Sequence, residues 1–278
     1  MSVWVARSSD SGVAERRAAA PARHLPRWWT EVVLVLALYG CYDATRGLRR
    51  GSASTADHNG WLLLHWEGAA HLAPEHVLNH LLGQVPALAV LAAYFYATLH
   101  FVVTPGVLVW LYRRHPVNYR QARTVLAVAT TASLVGFWLF PVAPPRLLPG
   151  SGIRDTLADV HQWGWWSGQT SAPRGLGSLA NEFAAMPSLH VAWALWAGWL
   201  IARHARHRIV RVAGGAYPIL TALVVMSTGN HYLLDVLAGA AVLGLAAVIV
   251  SFRSRRVRRP PGLGRIGAAS DADLIGRR

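Results

Sequence analysis

The chain has 278 residues and carries 27 Lys+Arg against 13 Asp+Glu, a formal charge of +14. Only 14% of its residues are charged and 53% are hydrophobic, whereas soluble proteins average about 25% charged residues. That balance excludes a soluble nucleic-acid binder, and the apolar content excludes a largely disordered basic chain.

Every basic residue is an arginine and there is no lysine. Codon bias accounts for much of this, so the informative question is where the arginines sit. The single cysteine, Cys41, lies in an apolar run. It cannot form an internal disulfide or a Cys-based zinc site, and reads as a packing residue.

Residues 1–26 are polar and rich in Arg and Ala, without the apolar core of a signal peptide. They read as a disordered basic arm. A membrane-spanning helix needs about 20 mostly apolar residues. The first such stretch is 28–42, extendable to 48, although Glu31 and Asp43 fall within it. Residues 49–83 mix apolar residues at helical spacing with His and Glu. They read as one or two amphipathic helices on the membrane surface, broken near Pro74. A second span covers 85–112, with a kink expected at Pro105-Gly106. A third covers 122–140 and stops at a proline-rich run. Residues 150–182 form a polar loop rich in Gly and Trp. Spans four to six cover 188–202, 210–228 and 232–252, and 253–278 is an Arg-rich tail expected to be disordered. The expected fold is therefore all-α: a polytopic membrane domain over 27–252, with a six-transmembrane-helix core and amphipathic interfacial helices.

Six spans sort the arginines. Twenty-one lie in the N-terminal arm, the 113–123 and 203–211 loops and the tail, all on one side, and six lie on the other. Cytoplasmic segments are enriched in Lys and Arg. Both termini are thus expected in the cytoplasm, with 49–83, 141–187 and 229–231 facing outward.

Three polar features then collect at the outward face: Pro144-Pro145-Arg146, Met186-Pro187-Ser188-Leu189-His190, and Thr228-Gly229-Asn230-His231-Tyr232-Leu233-Leu234-Asp235. His231 and Asp235 are four apart, so on a helix they share a face. A carboxylate there holds one imidazole nitrogen and leaves the other free. Taken alone, the pair is equally a packing histidine and aspartate that satisfy one another. Ser188 reads as a helix N-cap, which puts His190 in the first turn, where unpaired N–H groups suit a phosphate. Arg146 is a fixed cation, or else a residue snorkelling to lipid headgroups.

Together these motifs resemble the type 2 phosphatidic acid phosphatase superfamily, and more closely its inositol phosphorylceramide synthase-like branch as found in actinobacterial membrane proteins. The likeness runs over about residues 55–245. It implies metal-independent phosphoryl transfer from a lipid phosphate, with no cofactor. The donor would be of the phosphatidic acid, isoprenyl phosphate or inositol phospholipid class. By this resemblance His231 matches the nucleophile that forms a phosphohistidine, Asp235 its orienting carboxylate, and His190 the general acid. Ser188 and Arg146 match phosphate-contacting positions, Arg146 only loosely, and Asn230 and Arg174 are further candidates for holding the phosphate. Two cations of the general pattern are missing, since Leu139 and Val225 stand where a lysine and an arginine are usual. Arg120 and Arg123 fall on the wrong side to replace them.

If water attacks the phosphohistidine the protein is a phosphatase; if a hydroxyl attacks, an inositol-phosphate or similar transferase. The loop with Trp163, Trp165 and Trp166 is a candidate lid or acceptor site, or equally an interfacial aromatic belt. Among rival readings, a facial metal triad of His190, His231 and Asp235 is chemically conceivable. A proton-coupled transporter would place charges deep in several spans. A haem bundle would need a buried partner for His100. The clustering of polar residues at one face favours chemistry on a headgroup.

Overall fold

The computed structural model describes residues 26–47, 53–166 and 182–258. Among them the fold is helical: α1 Trp28–Gly47, α2 Ala53–Ala69, α3 Pro74–Gly83, α4 Pro86–Arg114, α5 Pro116–Leu139, the short α6 Thr156–Asp159, α7 Leu189–His204, α8 Arg208–Ser227 and α9 Leu233–Arg258. An isolated bridge between Val142 and Ala184 is the only extended pairing among these residues.

Prolines mark the helix starts. Pro74, Pro86 and Pro116 each occupy the first turn of α3, α4 and α5, where a missing N–H costs nothing. Pro74 therefore divides α2 from α3, as the sequence leads one to expect. Pro105 lies inside α4, which runs through it as one helix. Helix α5 begins at Pro116, six residues before the expected span, and α9 continues six residues past Phe252 into the expected tail.

Among the described residues four helices are long and apolar enough to cross a membrane: Pro86–Arg114, Pro116–Leu139, Arg208–Ser227 and Leu233–Ser254. Their outer faces expose large apolar side chains, among them Phe101, Leu139, Ile219, Leu245 and Phe252. Apolar surface of that extent marks contact with lipid rather than water. The chain thus has an all-α polytopic membrane fold. The expected spans at 28–42 and 188–202 correspond to α1 and α7. Of these, α7 has 16 residues and a length of about 24 Å at 1.5 Å per residue.

Helix α7 lies at the centre, packed on α4, α5, α8 and α9. Two tryptophans fasten it to α5: the Trp193 indole N–H donates to Thr130 Oγ1 and that of Trp196 to the Ala122 carbonyl. Trp196, Leu200, Leu111, Leu126 and Val250 belong to the main apolar cluster between these helices. Helix α1 packs along α5. Its acidic residue is compensated there: Glu31 accepts from the Tyr119 hydroxyl at 2.7 Å and pairs with Arg123. This explains a carboxylate inside an otherwise apolar stretch. It also commits Arg123 to α1.

The polarity of the bundle follows. Helices α5 and α8 end, and α7 and α9 begin, at one end of the molecule. The last turns of α4 and α7 carry Arg113, Arg114 and Arg203 at the other end.

Candidate active site

The site is assembled from helix termini. Helix α8 ends in a Schellman motif: the Gly229 N–H donates to the Met226 carbonyl and the Asn230 N–H to that of Val225. Gly229 has φ +75°. A Cβ there would also meet the Arg154 carbonyl at 2.8 Å and Arg146 Cβ at 3.2 Å. Glycine is required both by the left-handed backbone and by the close approach. The Gly229 carbonyl accepts the Arg146 N–H at 2.9 Å, so the helix stop also anchors the proline-rich loop.

Helix α9 starts immediately afterwards. Asp235 Oδ2 accepts the Tyr232 backbone N–H at 3.0 Å and lies 3.2 Å from His231 Nδ1. One carboxylate oxygen thus caps the helix, as the third residue of a capping box does, and also holds the imidazole. His231 Nε2 is left as the free nitrogen. Both side chains are buried, 4% exposed for His231 and 0% for Asp235.

Ser188 caps α7, its Oγ accepting the Val191 N–H at 3.4 Å. The expected N-cap is therefore observed and His190 lies in the first turn. The His190 ring is stacked on Tyr96 at 4.5 Å, set edge-on to His100 at 4.3 Å, and placed 5.6 Å from the His231 ring. His100 of α4 belongs to this row of rings.

Arg146 is 4% exposed and held at two points. Its Nε donates to Asn230 Oδ1 at 2.9 Å and its Nη1 to Asp155 Oδ2 at 2.7 Å. Asn230 in turn donates to Thr228 Oγ1. Asp155 uses its other oxygen to cap α6 through the Ala158 N–H. The segment is held from α3, where Asn79 accepts the Arg154 N–H and donates to the carbonyls of Arg154 and Ser227.

The structure therefore brings His190, Ser188, Arg146, Asn230, His231 and Asp235 together from three separated motifs. Arg174 falls outside the described residues. Leu139 is exposed on the outer face of α5 and Val225 is buried in a cluster with Val191 and Met226. Trp166 departs from the expected belt or lid. It is fully buried, its indole N–H donating to the Leu157 carbonyl and its ring packed edge-on to Tyr94. Trp163 and Trp165 are exposed. Sequence reading missed Asp155 and Asn79. Asp155 stands in an aperiodic loop, where no spacing in the sequence links it to Arg146.

Two further carboxyls, read from the sequence as polar positions on amphipathic surface helices, were also missed. Glu67 Oε1 accepts the Leu234 N–H at 2.6 Å, and Glu75 lies beside Glu67. Burial pushes Glu67 up to about 8 and raises Glu75 as well. Among the described residues no group of three His, Cys, Asp or Glu side chains is placed to hold a metal.

The arrangement comprises an imidazole with one nitrogen held and one free, a second imidazole beside it, and an anchored guanidinium. It is suited to attack on a phosphorus centre. Residues 61–249 match the family model of the PAP2 superfamily. The chain belongs to the PAP2 superfamily. Among solved structures, that of Aquifex aeolicus LpxE is similar, with 18% identity and a TM-score of 0.46 over 64% of this chain and 92% of that one. No curated protein matches. Family membership rests on the sequence match alone. For this PAP2 chain the His–Asp pair at the start of α9 and the histidine at the start of α7 are the first residues to test.

Proposed function

We propose that this protein is a membrane lipid-phosphate phosphatase that works through a phosphohistidine on His231. The observation that carries the reading is the His231–Asp235 pair at 3.2 Å with the His190 ring 5.6 Å away and Arg146 tied in through Asn230. In the first step His231 Nε2 attacks phosphorus in line. The P–N bond forms as the P–O bond to the lipid alcohol breaks, and His190 gives the alkoxide its proton. Asp235 stabilises the cationic ring. Arg146, fixed by Asn230 and Asp155, keeps its Nη2 edge for the equatorial oxygens, assisted by N–H groups at the start of α7. In the second step water attacks phosphorus, returns a proton to His190, and inorganic phosphate leaves His231. Neither step uses a metal.

The substrate class is a phosphomonoester on a lipid, such as phosphatidic acid or an isoprenyl phosphate. The arginine-rich helix ends lie opposite the site, which supports an extracytoplasmic site with both termini in the cytoplasm. Replacing His231 with Ala or Asn tests the reading through phosphate release from phosphatidic acid and isoprenyl phosphates in membranes. Activity is expected to fall by more than about 10³-fold, and to persist in chelator for the unaltered chain. Retained activity in His231→Ala overturns the nucleophile. A new phosphodiester in place of free phosphate would instead assign the chain to the inositol phosphorylceramide synthase-like branch.

A further inference from the structure

Glu67 of α2 and Glu75 of α3 are buried, at 2% and 0% exposure, directly behind the start of α9. Their only hydrogen bond to another element among the described residues runs from the Leu234 N–H to Glu67 Oε1, at 2.6 Å. Glu67 Oε2, both Glu75 oxygens and Asp235 Oδ1 are buried without a hydrogen-bond partner. Two ionised carboxylates placed together this way, beside a third, would cost far more than the fold can bear. A metal ion would offset the charge, but these side chains are not arranged to hold one. The remaining solution is a proton.

We propose that Glu67 and Glu75 share a proton and act as positioning residues for His231 and Asp235. Glu67 accepts the Leu234 N–H through Oε1 at the helix start, and the shared proton lies between its Oε2 and Glu75, so that the pair carries one negative charge. The placement fits the local physics. The first N–H groups of a helix have no partner within it and favour a negative charge. Asp235 serves the Tyr232 N–H and Glu67 serves that of Leu234. The two carboxylates thus grip the backbone on both sides of Leu233, and the α2–α3 hairpin sets the angle at which His231 is presented. The charged and titratable groups around the pair are Asp235 and Tyr232 from the start of α9 and His76 from α3. The raised values of both glutamates agree with a retained proton.

The positioning role rests on the proposed phosphatase reading, whereas the shared proton can be tested without turnover. Infrared difference spectra of the full-length protein in detergent at neutral pH are compared with those of Glu67→Gln and Glu75→Gln. The carbonyl stretch of a protonated carboxylic acid is expected in the unaltered chain and absent from both variants. Its absence from the unaltered chain, or its full persistence in Glu75→Gln, overturns the pair. Kinetics on phosphatidic acid in detergent micelles test the positioning. Glu67→Gln keeps an oxygen for the Leu234 N–H and is expected to hold kcat within about threefold. Glu67→Ala loses that oxygen and is expected to lower kcat about tenfold with little change in KM. An unchanged kcat in Glu67→Ala, or an equal loss in both variants, overturns the positioning role. Should Glu67→Ala fail to fold, Glu67→Leu with Glu75→Leu supplies an apolar replacement of the pair, again with a lower kcat expected and an unchanged one counting against the proposal. If the unaltered chain releases no phosphate, the phosphatase reading fails while the infrared result still decides the pair.

Discussion

The Ser188 backbone N–H donates to the Asp235 carbonyl at 3.0 Å. This bond ties the cap of α7 to the first turn of α9, and so sets the distance between the two histidines those helices carry. The contact is close because Gly239, one turn further along α9, faces the same residue.

Adding a methyl group there tests this crossing. A Cβ at position 239 would lie 2.4 Å from the Ser188 carbonyl oxygen, far inside contact distance. Gly239→Ala is expected to destabilise the fold by about 1–3 kcal/mol and to lower phosphatase activity by moving His190 from His231. Thermal unfolding in detergent checks it, and an unchanged midpoint would show that the two helices are not held at this spacing.

Asp235→Asn separates the two duties of the carboxylate. The amide oxygen can still accept the Tyr232 N–H, so the helix start survives. The orienting charge next to His231 is lost. We expect kcat to fall by about 10²–10⁴-fold, with the helical circular dichroism spectrum retained. Activity near that of the unaltered chain would remove Asp235 from the mechanism.

Asp155 bridges Arg146 and the cap of α6. In Asp155→Ala the guanidinium keeps only its Asn230 contact. A charge-assisted hydrogen bond contributes about 1.5–3 kcal/mol, so KM for a lipid phosphate is expected to rise about tenfold or more, with a smaller change in kcat. A lower KM would mean that Asp155 competes with substrate for Arg146 rather than presenting it.

The dependence of stability on pH carries the signature of Glu67. Burial raises its carboxyl from an ordinary 4.5 to about 8. A carboxyl raised on folding contributes stability that is complete below its ordinary value and is lost as pH rises through the folded one. The unfolding midpoint in detergent is therefore expected to fall as pH rises from about 4.5 to about 8. Glu67→Gln, which removes this titrating carboxyl, should reduce that fall. A midpoint that rises over the interval in the unaltered chain contradicts the assignment.

Much of the site is legible in the sequence because its parts are local. Four-residue spacing leads one to expect His231 and Asp235 on one helix; the pair does meet, but His231 stands two residues before α9 begins and Asp235 reaches back to it from the first turn. Ser188 after Pro187 announces a helix start whichever fold contains it. Apolar runs of sufficient length locate α4, α5, α8 and α9 within a few residues, the ends shifting where Pro116 permits an earlier start and where nothing stops α9 at Phe252. These features depend on backbone geometry over one or two turns.

Tertiary structure alone decided the rest. Asp155 reaches Arg146 only because the Schellman turn at Gly229 draws the proline-rich loop against it. Glu67 and Glu75 read from sequence as polar positions on surface helices, and become a buried pair only when α2 and α3 close behind α9. The ring of His100 meets His190 because α4 packs on α7. None of these partners is related by a helical repeat, so no spacing rule connects them. The arginines divide the same way. Their distribution along the chain marks which helix ends share a side, while the place of Arg146 in the site follows from burial and from two acceptors 9 and 84 residues away.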